Sequence, residues 1–382
     1  MLGLGIILPI LPLYATDIGV SGFWLGAIFA GFSIARSAFM PVVGRLSDKT
    51  GNRKRFIAIG LFFYALSSLG YIYSFDTLSL FLVRIIQGLC SAMIVPIAMA
   101  YIGDISPKDR EATYMGQFTV SLLLGFGFGP ILGGCIQEVF NVNAAFIAMG
   151  LLCFLAFLFV MMWLPAVPHK NTLKRERPAS YSTIMQNSQM RGVICYRYTI
   201  AFARAAVLTF LPLYASLQLK LSGAQIGLII SCSILLSSFL QYPCGRLADR
   251  LDRRNLIIIG SLLYCLTIVL LPYCVDFWQV LGTNLLLGIL GALSLPAASA
   301  LIVDEGKKYG MGSSMALFNV AMSLGLGSGP LVSGIILDIA GLKAVFYFAT
   351  GIGIAGTMLA GHFMHSSPPP AAPGRHRIVE EA

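Results

Sequence analysis

The chain contains 382 residues, of which 57% are hydrophobic and only 11% are charged. In soluble domains about a quarter of the residues are charged, so this composition excludes an ordinary soluble protein. The formal net charge is +10. Because the basic residues lie between apolar stretches, they indicate membrane topology, and nucleic acid is not an expected partner.

Twelve apolar segments follow one another along the chain, and each is predicted to be a membrane-spanning helix, for which about 20 residues are needed. They are 1–16, 21–43, 56–74, 78–103, 114–136, 143–164, 192–216, 224–244, 255–274, 277–302, 312–337 and 342–364. The first is short, since 16 helical residues rise only about 24 Å against a bilayer core of about 30 Å. We therefore expect this helix to begin upstream of Met1, and no secretory signal peptide is indicated.

Basic residues predict the orientation. If the N-terminus is cytoplasmic, 20 of the 26 basic residues fall in cytoplasmic segments, whereas the outer loops hold only Lys220 and Lys343. This positive-inside bias predicts a multi-pass protein of the cytoplasmic membrane with both termini cytoplasmic.

Two halves of the chain repeat each other. Leu-Pro-Leu-Tyr-Ala at 11–15 recurs at 211–215, and Gly88, Pro96 and Asp104 recur 200 residues later. Internal repeats in so apolar a chain are typical of transporters whose substrate path runs between the halves. The expected fold class is therefore an all-α integral membrane protein with two pseudo-symmetric six-helix bundles.

The predicted domain boundaries follow from this repeat. The bundles are 1–164 and 191–365, and a polar cytoplasmic linker, 165–190, joins them. The proline-rich tail 366–382 is expected to be disordered. The eight cysteines are scattered along apolar helices without CxxC spacing, as expected of small buried hydrophobes. No metal site, cofactor or enzymatic constellation is expected.

The run from Gly44 to Lys54 resembles the cytoplasmic loop 2–3 signature of the major facilitator superfamily. A degraded second copy runs from Gly245 to Arg254, with Asp252 in place of the later glycine. Glycines at both ends of a short turn would let two antiparallel helices approach closely. A carboxylate there can lie beside the N-terminus of a neighbouring helix, where it is stabilised.

Four further motifs narrow the resemblance to the twelve-helix drug:proton antiporters, over 1–365. The fourth-helix motif of proton-coupled members is similar to Leu80-x3-Arg84-x2-Gln87-Gly88-x3-Ala92. The fifth-helix antiporter motif is similar to Gly116-x8-Gly125-x3-Gly129-Pro130-x2-Gly133-Gly134. First-helix and eleventh-helix motifs resemble Leu2-Gly3-x5-Pro9-Ile10-x-Pro12 and Gly325-x3-Gly329-Pro330-Leu331.

A cytoplasmic gate is expected from the loop motif. The resemblance places Asp48 against the helix N-terminus near Met311, and Asp104 and Arg110 lie on the adjacent inner loop. We expect these charges, with Arg53, to close the inner side of an outward-open state. The gate set comprises Gly44, Asp48, Gly51, Arg53, Asp104, Arg110, Gly245 and Asp249.

The glycines of the fifth predicted helix leave a face without side chains, against which a helix of the other half is expected to pack and slide. Ordinary small-residue packing is the alternative. Pro130 removes a backbone donor and is expected to bend this helix.

Arginines within the apolar segments predict a cavity. A central arginine costs about 2.5–3.5 kcal/mol on insertion scales, so Arg84 should face a cavity or a partner unless it snorkels outward. Arg36 could snorkel, and Arg204 lies mid-membrane. The predicted cavity and coupling residues are Arg84, Gln87, Arg204 and Asn284, the last being the counterpart of Arg84.

None of the sixteen acidic residues lies in the middle of a predicted helix. Many drug:proton antiporters use a cavity carboxylate, so this chain departs from that pattern. Its cavity should be positive or neutral, which favours neutral, zwitterionic or anionic amphipathic substrates. Proton coupling through Asp17 or Glu138 stays open.

Three functions compete. One is an exporter of amphipathic compounds, of the drug:proton antiporter type, working by rocking-switch alternating access with small molecules and protons as its partners. Another is a carrier for a specific metabolite such as an organic anion, sugar or siderophore. The third, a membrane-embedded enzyme or a receptor, lacks convergent catalytic groups or an added soluble domain. A monomer in the lipid bilayer is expected.

Overall fold

The computed structural model describes residues 1–107, 110–165, 181–309 and 311–365, and these residues are helical almost throughout. The helices are α1 (Leu2–Asp17), α2 (Gly22–Thr50), α3 (Arg53–Ile72), α4 (Thr77–Ile105), α5 (Glu111–Val139), α6 (Val142–Trp163), α7 (Tyr181–Gln186), α8 (Ser188–Leu217), α9 (Gly223–Arg250), α10 (Arg253–Ile268), α11 (Phe277–Tyr309), α12 (Met311–Ala340) and α13 (Leu342–His365). A short 3-10 helix, Leu271–Tyr273, follows α10. All twelve predicted helices are confirmed, and the fold is the expected all-α membrane fold.

Membrane crossing is supported by length and hydropathy. Eleven helices in the described residues are long and apolar enough to span a bilayer. The shorter α1 has 16 residues and contains Pro9 and Pro12. The protein is therefore a multi-pass membrane protein.

Several helices continue beyond their predicted inner ends. The apolar run of α2 stops near residue 43, but the helix extends to Thr50, so Gly44 and Asp48 are helical and the predicted loop position for them is wrong. Polar residues can continue a helix into water as readily as apolar residues continue it in the membrane, and no residue between 44 and 50 ends the helix. Gly51 ends α2 with a left-handed φ of 67°, which glycine adopts without a steric cost.

The second copy of this turn differs. Asn52 caps α3 by accepting a hydrogen bond from the Arg55 amide, and Asp252 caps α10 through the Arg254 amide at 2.9 Å. Asp252 is therefore the counterpart of Asn52 by its role, and its predicted match to Gly51 is wrong. The second copy lacks one residue at the end of its helix.

The predicted linker 165–190 is partly helical. Residues 166–180 and the tail 366–382 lie outside the described residues. The rest contains the six-residue helix α7, and α8 begins at Ser188 after a cap by Asn187, whose side chain accepts from the Met190 amide at 3.1 Å. The second bundle thus begins three residues before the predicted boundary of 191.

The two bundles, α1–α6 and α8–α13, meet mainly where α2 packs on α12 and α5 packs on α9, with smaller contacts of α1 with α8 and with α9. Within the described residues, α4 of the first bundle and α11 of the second make no extensive contact with each other. We call the end with the basic connections the inner end and the opposite end the outer end. The interface described next lies towards the outer end.

Candidate functional site: the interface between the two bundles

Glycines bring the backbones of the two bundles together at the outer end. A Cβ at Gly22 would collide with the Gly334 carbonyl, and one at Gly26 with the Pro330 carbonyl. The repeat gives the same arrangement between α5 and α9. There a Cβ at Gly134 would meet the Gly223 carbonyl, and one at Gly227 the Pro130 carbonyl. Such small-residue contacts allow membrane helices to touch through their backbones.

Two carboxylates cap helices of the opposite bundle at this outer end, and we call them the outer latches. Asp338 of α12 accepts hydrogen bonds from the Gly22 and Phe23 amides of α2, both at 2.7 Å. Glu138 of α5 accepts from the Ala224 amide of α9 at 2.9 Å. Each carboxylate thus meets the positive end of a helix dipole in the other bundle. The sequence indicates only that neither carboxylate lies in the middle of a predicted helix, and it did not predict these contacts.

Only part of the fifth-helix motif faces the other bundle. A Cβ at Gly125 would touch Leu2, one at Gly129 would meet Gly5 and Leu2, and one at Gly133 would meet Ile6. These three glycines therefore pack against α1 of their own bundle, and the predicted inter-half role is wrong for them. A Cβ at Gly116 would meet nothing within 4 Å.

Pro130 and Gly134 do lie at the interface. The α5 helix continues through Pro130 to Val139. The next amide, that of Ile131, donates to the Ser231 hydroxyl of α9 at 2.9 Å. This side-chain contact adds a polar bond across the interface between the bundles.

The inner-end charges form one cluster within each bundle. In the first, Arg53 is only 8% exposed and its Nε donates to Asp104 of α4. Its Nη1 lies 3.3 Å from Asp48 Oδ1 of α2. The cluster therefore ties the inner ends of α2, α3 and α4 together.

The repeat reproduces this cluster. Arg253 forms ion pairs with Asp249 at 3.4 Å and Asp304 at 2.5 Å. Arg110 lies exposed in the turn before α5. The Met311 side chain, where Asp48 was expected to dock, lies outside the described residues, so that contact stays a prediction. Gly44 and Gly245 make no close approach, since a Cβ would meet nothing within 4 Å at the first and only Pro296 at 3.9 Å at the second.

Arg84 is 2% exposed and lies inside the first bundle. Its Nη1 donates to Gln87 Oε1 at 2.9 Å, and the same oxygen accepts from the Tyr71 hydroxyl at 2.6 Å. The guanidinium also lies 4.8 Å and 5.3 Å from the ring centroids of Phe29 and Phe32. Gln87 was grouped with Arg84 from the sequence, whereas the cation–π contacts with the two rings were not predicted.

Unpartnered polar atoms surround Arg84. The buried Nε atoms of Arg36 and Arg84 and the Tyr64 hydroxyl have no hydrogen-bond partner among the described residues. Tyr64 lies within electrostatic range of both arginines. From the sequence, Arg36 could extend its side chain to the membrane surface, and no role was predicted for Tyr64. Tyr64 recurs as Tyr264 in the second half, and this repeat could have marked it as a candidate.

The arginines of α8 lie inside the second bundle. Arg197 stacks 4.6 Å above the Phe318 ring and donates to Met322 Sδ at 2.7 Å. Arg204 is half-buried and within electrostatic range of Tyr264 of α10. Asn284 is 5% exposed, and its amide donates to the Val280 carbonyl of its own helix at 3.3 Å. Arg84 therefore has its contacts in the first bundle and Asn284 in the second, and a cavity shared by Arg84, Arg204 and Asn284 stays a prediction.

Carboxylates are confined to helix ends. In the described spanning helices, every acidic residue lies near an end. Among the described residues, no group of His, Cys, Asp and Glu could hold a metal ion.

Comparison with known proteins identifies the family. The family model for the Major Facilitator Superfamily matches residues 1–216 and 194–380, one copy on each repeat. The chain belongs to the major facilitator superfamily. It is a transporter of that superfamily, and the described interface is the surface along which its two bundles meet.

Relatives in the superfamily match nearly the whole chain. An uncharacterized MFS-type transporter of Methanocaldococcus jannaschii is 30% identical over 354 residues, covering 91% of each chain. The quinolone resistance protein NorA of Staphylococcus aureus is 27% identical over 363 residues, covering 94% of this chain and 92% of its own. A crystal structure of a bacterial homologue of the human lysosomal transporter Spinster, inward-facing and unoccupied, superposes with a TM-score of 0.82. It is 13% identical and covers 96% of this chain and 95% of that one, a similarity of fold alone.

Proposed function

We propose that this transporter exports small amphipathic compounds by rocking-switch alternating access, driven by protons. The observation that carries the proposal is the outer interface, where the described parts of the two bundles are joined by the latch carboxylates and by close glycine contacts and by no covalent link. Full-length similarity to a quinolone resistance protein supports export over uptake.

The interior charges support a substrate class. In the described spanning helices the charged side chains far from a helix end are arginines, and the acidic side chains lie near helix ends. Unpartnered N–H groups on Arg36 and Arg84 offer donors to a substrate oxygen if the first bundle opens locally. Neutral, zwitterionic or anionic amphipaths fit this interior better than cations.

The second candidate is a carrier for one metabolite with an anionic group. It is favoured by the same arginines, since a guanidinium binds a carboxylate or phosphate through paired hydrogen bonds. The two functions would use the same fold. They differ in substrate range, since several different amphipaths compete for an exporter of the first kind and only one metabolite is carried by the second.

Transport into inverted membrane vesicles tests both candidates. We expect anionic and neutral amphipaths to accumulate in response to an acidic lumen, to compete with one another, and to be released when a protonophore collapses the gradient. A Gly134→Leu protein is the matched inactive control, because its side chain cannot fit against Gly223. Transport of a single polar metabolite without competition from amphipaths would favour the carrier.

A further inference from the structure

A groove of ≈ 590 Å³ lies between α3 and α6 at the inner end of the first bundle. Lys54 and Arg55 line its inner end, and Phe62, Phe63 and Phe157 line the rest. Eight residues of helix separate Lys54 from Phe62, a rise of about 12 Å. The groove therefore runs from a basic mouth into an apolar interior.

This groove faces away from the second bundle. The extensive contacts of α3 are with α4 and α6 of its own bundle. Phe62 and Phe63 are 41% and 49% exposed. In a membrane protein such a face meets lipid, and the rise of about 12 Å along the lining residues is close to half of a bilayer core of about 30 Å.

The two basic residues at the mouth have free donors. Lys54 Nζ donates once, to the Met161 carbonyl of α6 at 2.9 Å, and an ammonium group has three donors. Arg55 is exposed and has no ion pair among the described residues. Both charges are thus positioned for an anion at the membrane surface.

The second bundle lacks this arrangement at the repeated positions. Arg254, the counterpart of Lys54, is 6% exposed and donates to Gln189 Oε1 of α8 at 3.2 Å. Arg55 is replaced by Asn255, and Phe62 and Phe63 by Leu262 and Leu263. The basic aromatic groove is therefore a property of the first bundle and not of the repeated fold.

We propose that the α3–α6 groove binds one anionic phospholipid of the cytoplasmic leaflet, with the phosphate at Lys54 and Arg55 and an acyl chain along the phenylalanines. The leaflet follows from the predicted positive-inside orientation. Basic pockets between helices on this side of a membrane match anionic head groups. A single phospholipid supplies both the anion and the apolar chain that the groove accommodates.

Native mass spectrometry of the purified full chain tests the proposal. The protein is titrated with phosphatidylglycerol and, for comparison, with phosphatidylcholine of the same acyl chains. The test variant is Lys54→Gln/Arg55→Gln, and the matched control is Arg246→Gln/Arg250→Gln, which removes two basic charges at the inner end of α9. A third variant, Ile59→Trp, fills the groove and retains both charges.

We expect the wild-type protein and the control to prefer phosphatidylglycerol for the first bound lipid. In the test variant that preference should fall roughly fivefold for each charge removed. Ile59→Trp should reduce occupancy by both lipids. The proposal is overturned if the test variant keeps the preference, if the control loses it equally, or if Ile59→Trp binds as the wild type does. Transport activity is not needed for this readout.

Discussion

Asp338 near the end of α12 accepts a hydrogen bond from the Gly22 amide at the start of α2, at 2.7 Å, although 316 residues separate them. Glu138 makes the repeated contact with Ala224, so the outer end is joined twice by the same chemistry. Both contacts link one bundle to the other. They must break for the outer end to open, so removing one of them should change the balance between the closed and the open outer end.

Asp338→Ala should shift the protein towards an outward-open state. Loss of a carboxylate at a helix N-terminus weakens the closed outer end, by roughly two- to fivefold in the equilibrium between states. Spin labels at Phe75 and Val275, exposed outer positions of the two bundles, report the distance between them in a background without native cysteines.

Asp276→Ala is the matched control for this measurement. Asp276 is also an outer carboxylate, but it caps its own helix through the Gln279 amide at 2.8 Å. It should leave the distance distribution unchanged. Identical distributions for Asp338→Ala and the wild type would show that the latch does not bias the states.

Alanine at three glycines of α5 should separate packing from gating. Gly129→Ala should lower thermal stability, because its Cβ meets Gly5 of α1 and overpacking costs about 1–3 kcal/mol. Gly134→Ala should leave each bundle stable but reduce transport, because its Cβ meets Gly223 of the other bundle.

Gly116→Ala serves as the control, since nothing lies within 4 Å of its Cβ. Unfolding temperature in detergent and transport in liposomes are measured for all three variants. If Gly129→Ala impaired only transport, or Gly134→Ala only stability, the assignment of the two faces would be reversed.

The inner cluster should show different roles for its two carboxylates. Asp104→Ala removes the closest partner of the buried Arg53 and should cost about 1.5–3 kcal/mol of stability, as for hydrogen bonds to charged groups. Asp48 is 53% exposed, so Asp48→Asn should cost less than about 1 kcal/mol. We still expect Asp48→Asn to slow transport, because the resemblance assigns it to closure of the inner gate. Wild-type transport by a well-expressed Asp48→Asn protein would exclude that role.

Arg84→Ala should abolish coupled transport, and Arg84→Lys should restore little of it. Lysine lacks the planar fork that bonds Gln87 while lying over Phe29 and Phe32. Arg204→Ala should alter substrate preference more than turnover. The measurement is transport by purified proteins in liposomes of defined lipid and pH. Unchanged rates and selectivity in both alanine variants would leave these arginines with a structural role.

Much of the fold could be predicted from the sequence because its signals, apolar segment length and an internal repeat, can be read without knowing any tertiary contact. Apolar length predicts each spanning helix, and the 200-residue repeat predicts two bundles. Helix ends were less well predicted, since hydropathy reports the membrane boundary and not the end of hydrogen bonding. Thr50 ends α2 seven residues after the apolar run because Gly51 is the first residue to favour a left-handed turn.

The partners of each side chain were decided by tertiary structure. Gly125, Gly129 and Gly133 recur every four residues, so the sequence correctly determined that one face of α5 is bare. Gly127, Pro130 and Gly134 form a second small face, and sequence spacing cannot tell which of the two meets α1 and which meets α9. Both neighbours are apolar helices in lipid, so hydrophobicity does not distinguish them. Only the three-dimensional packing places the first face within a bundle and the second between bundles.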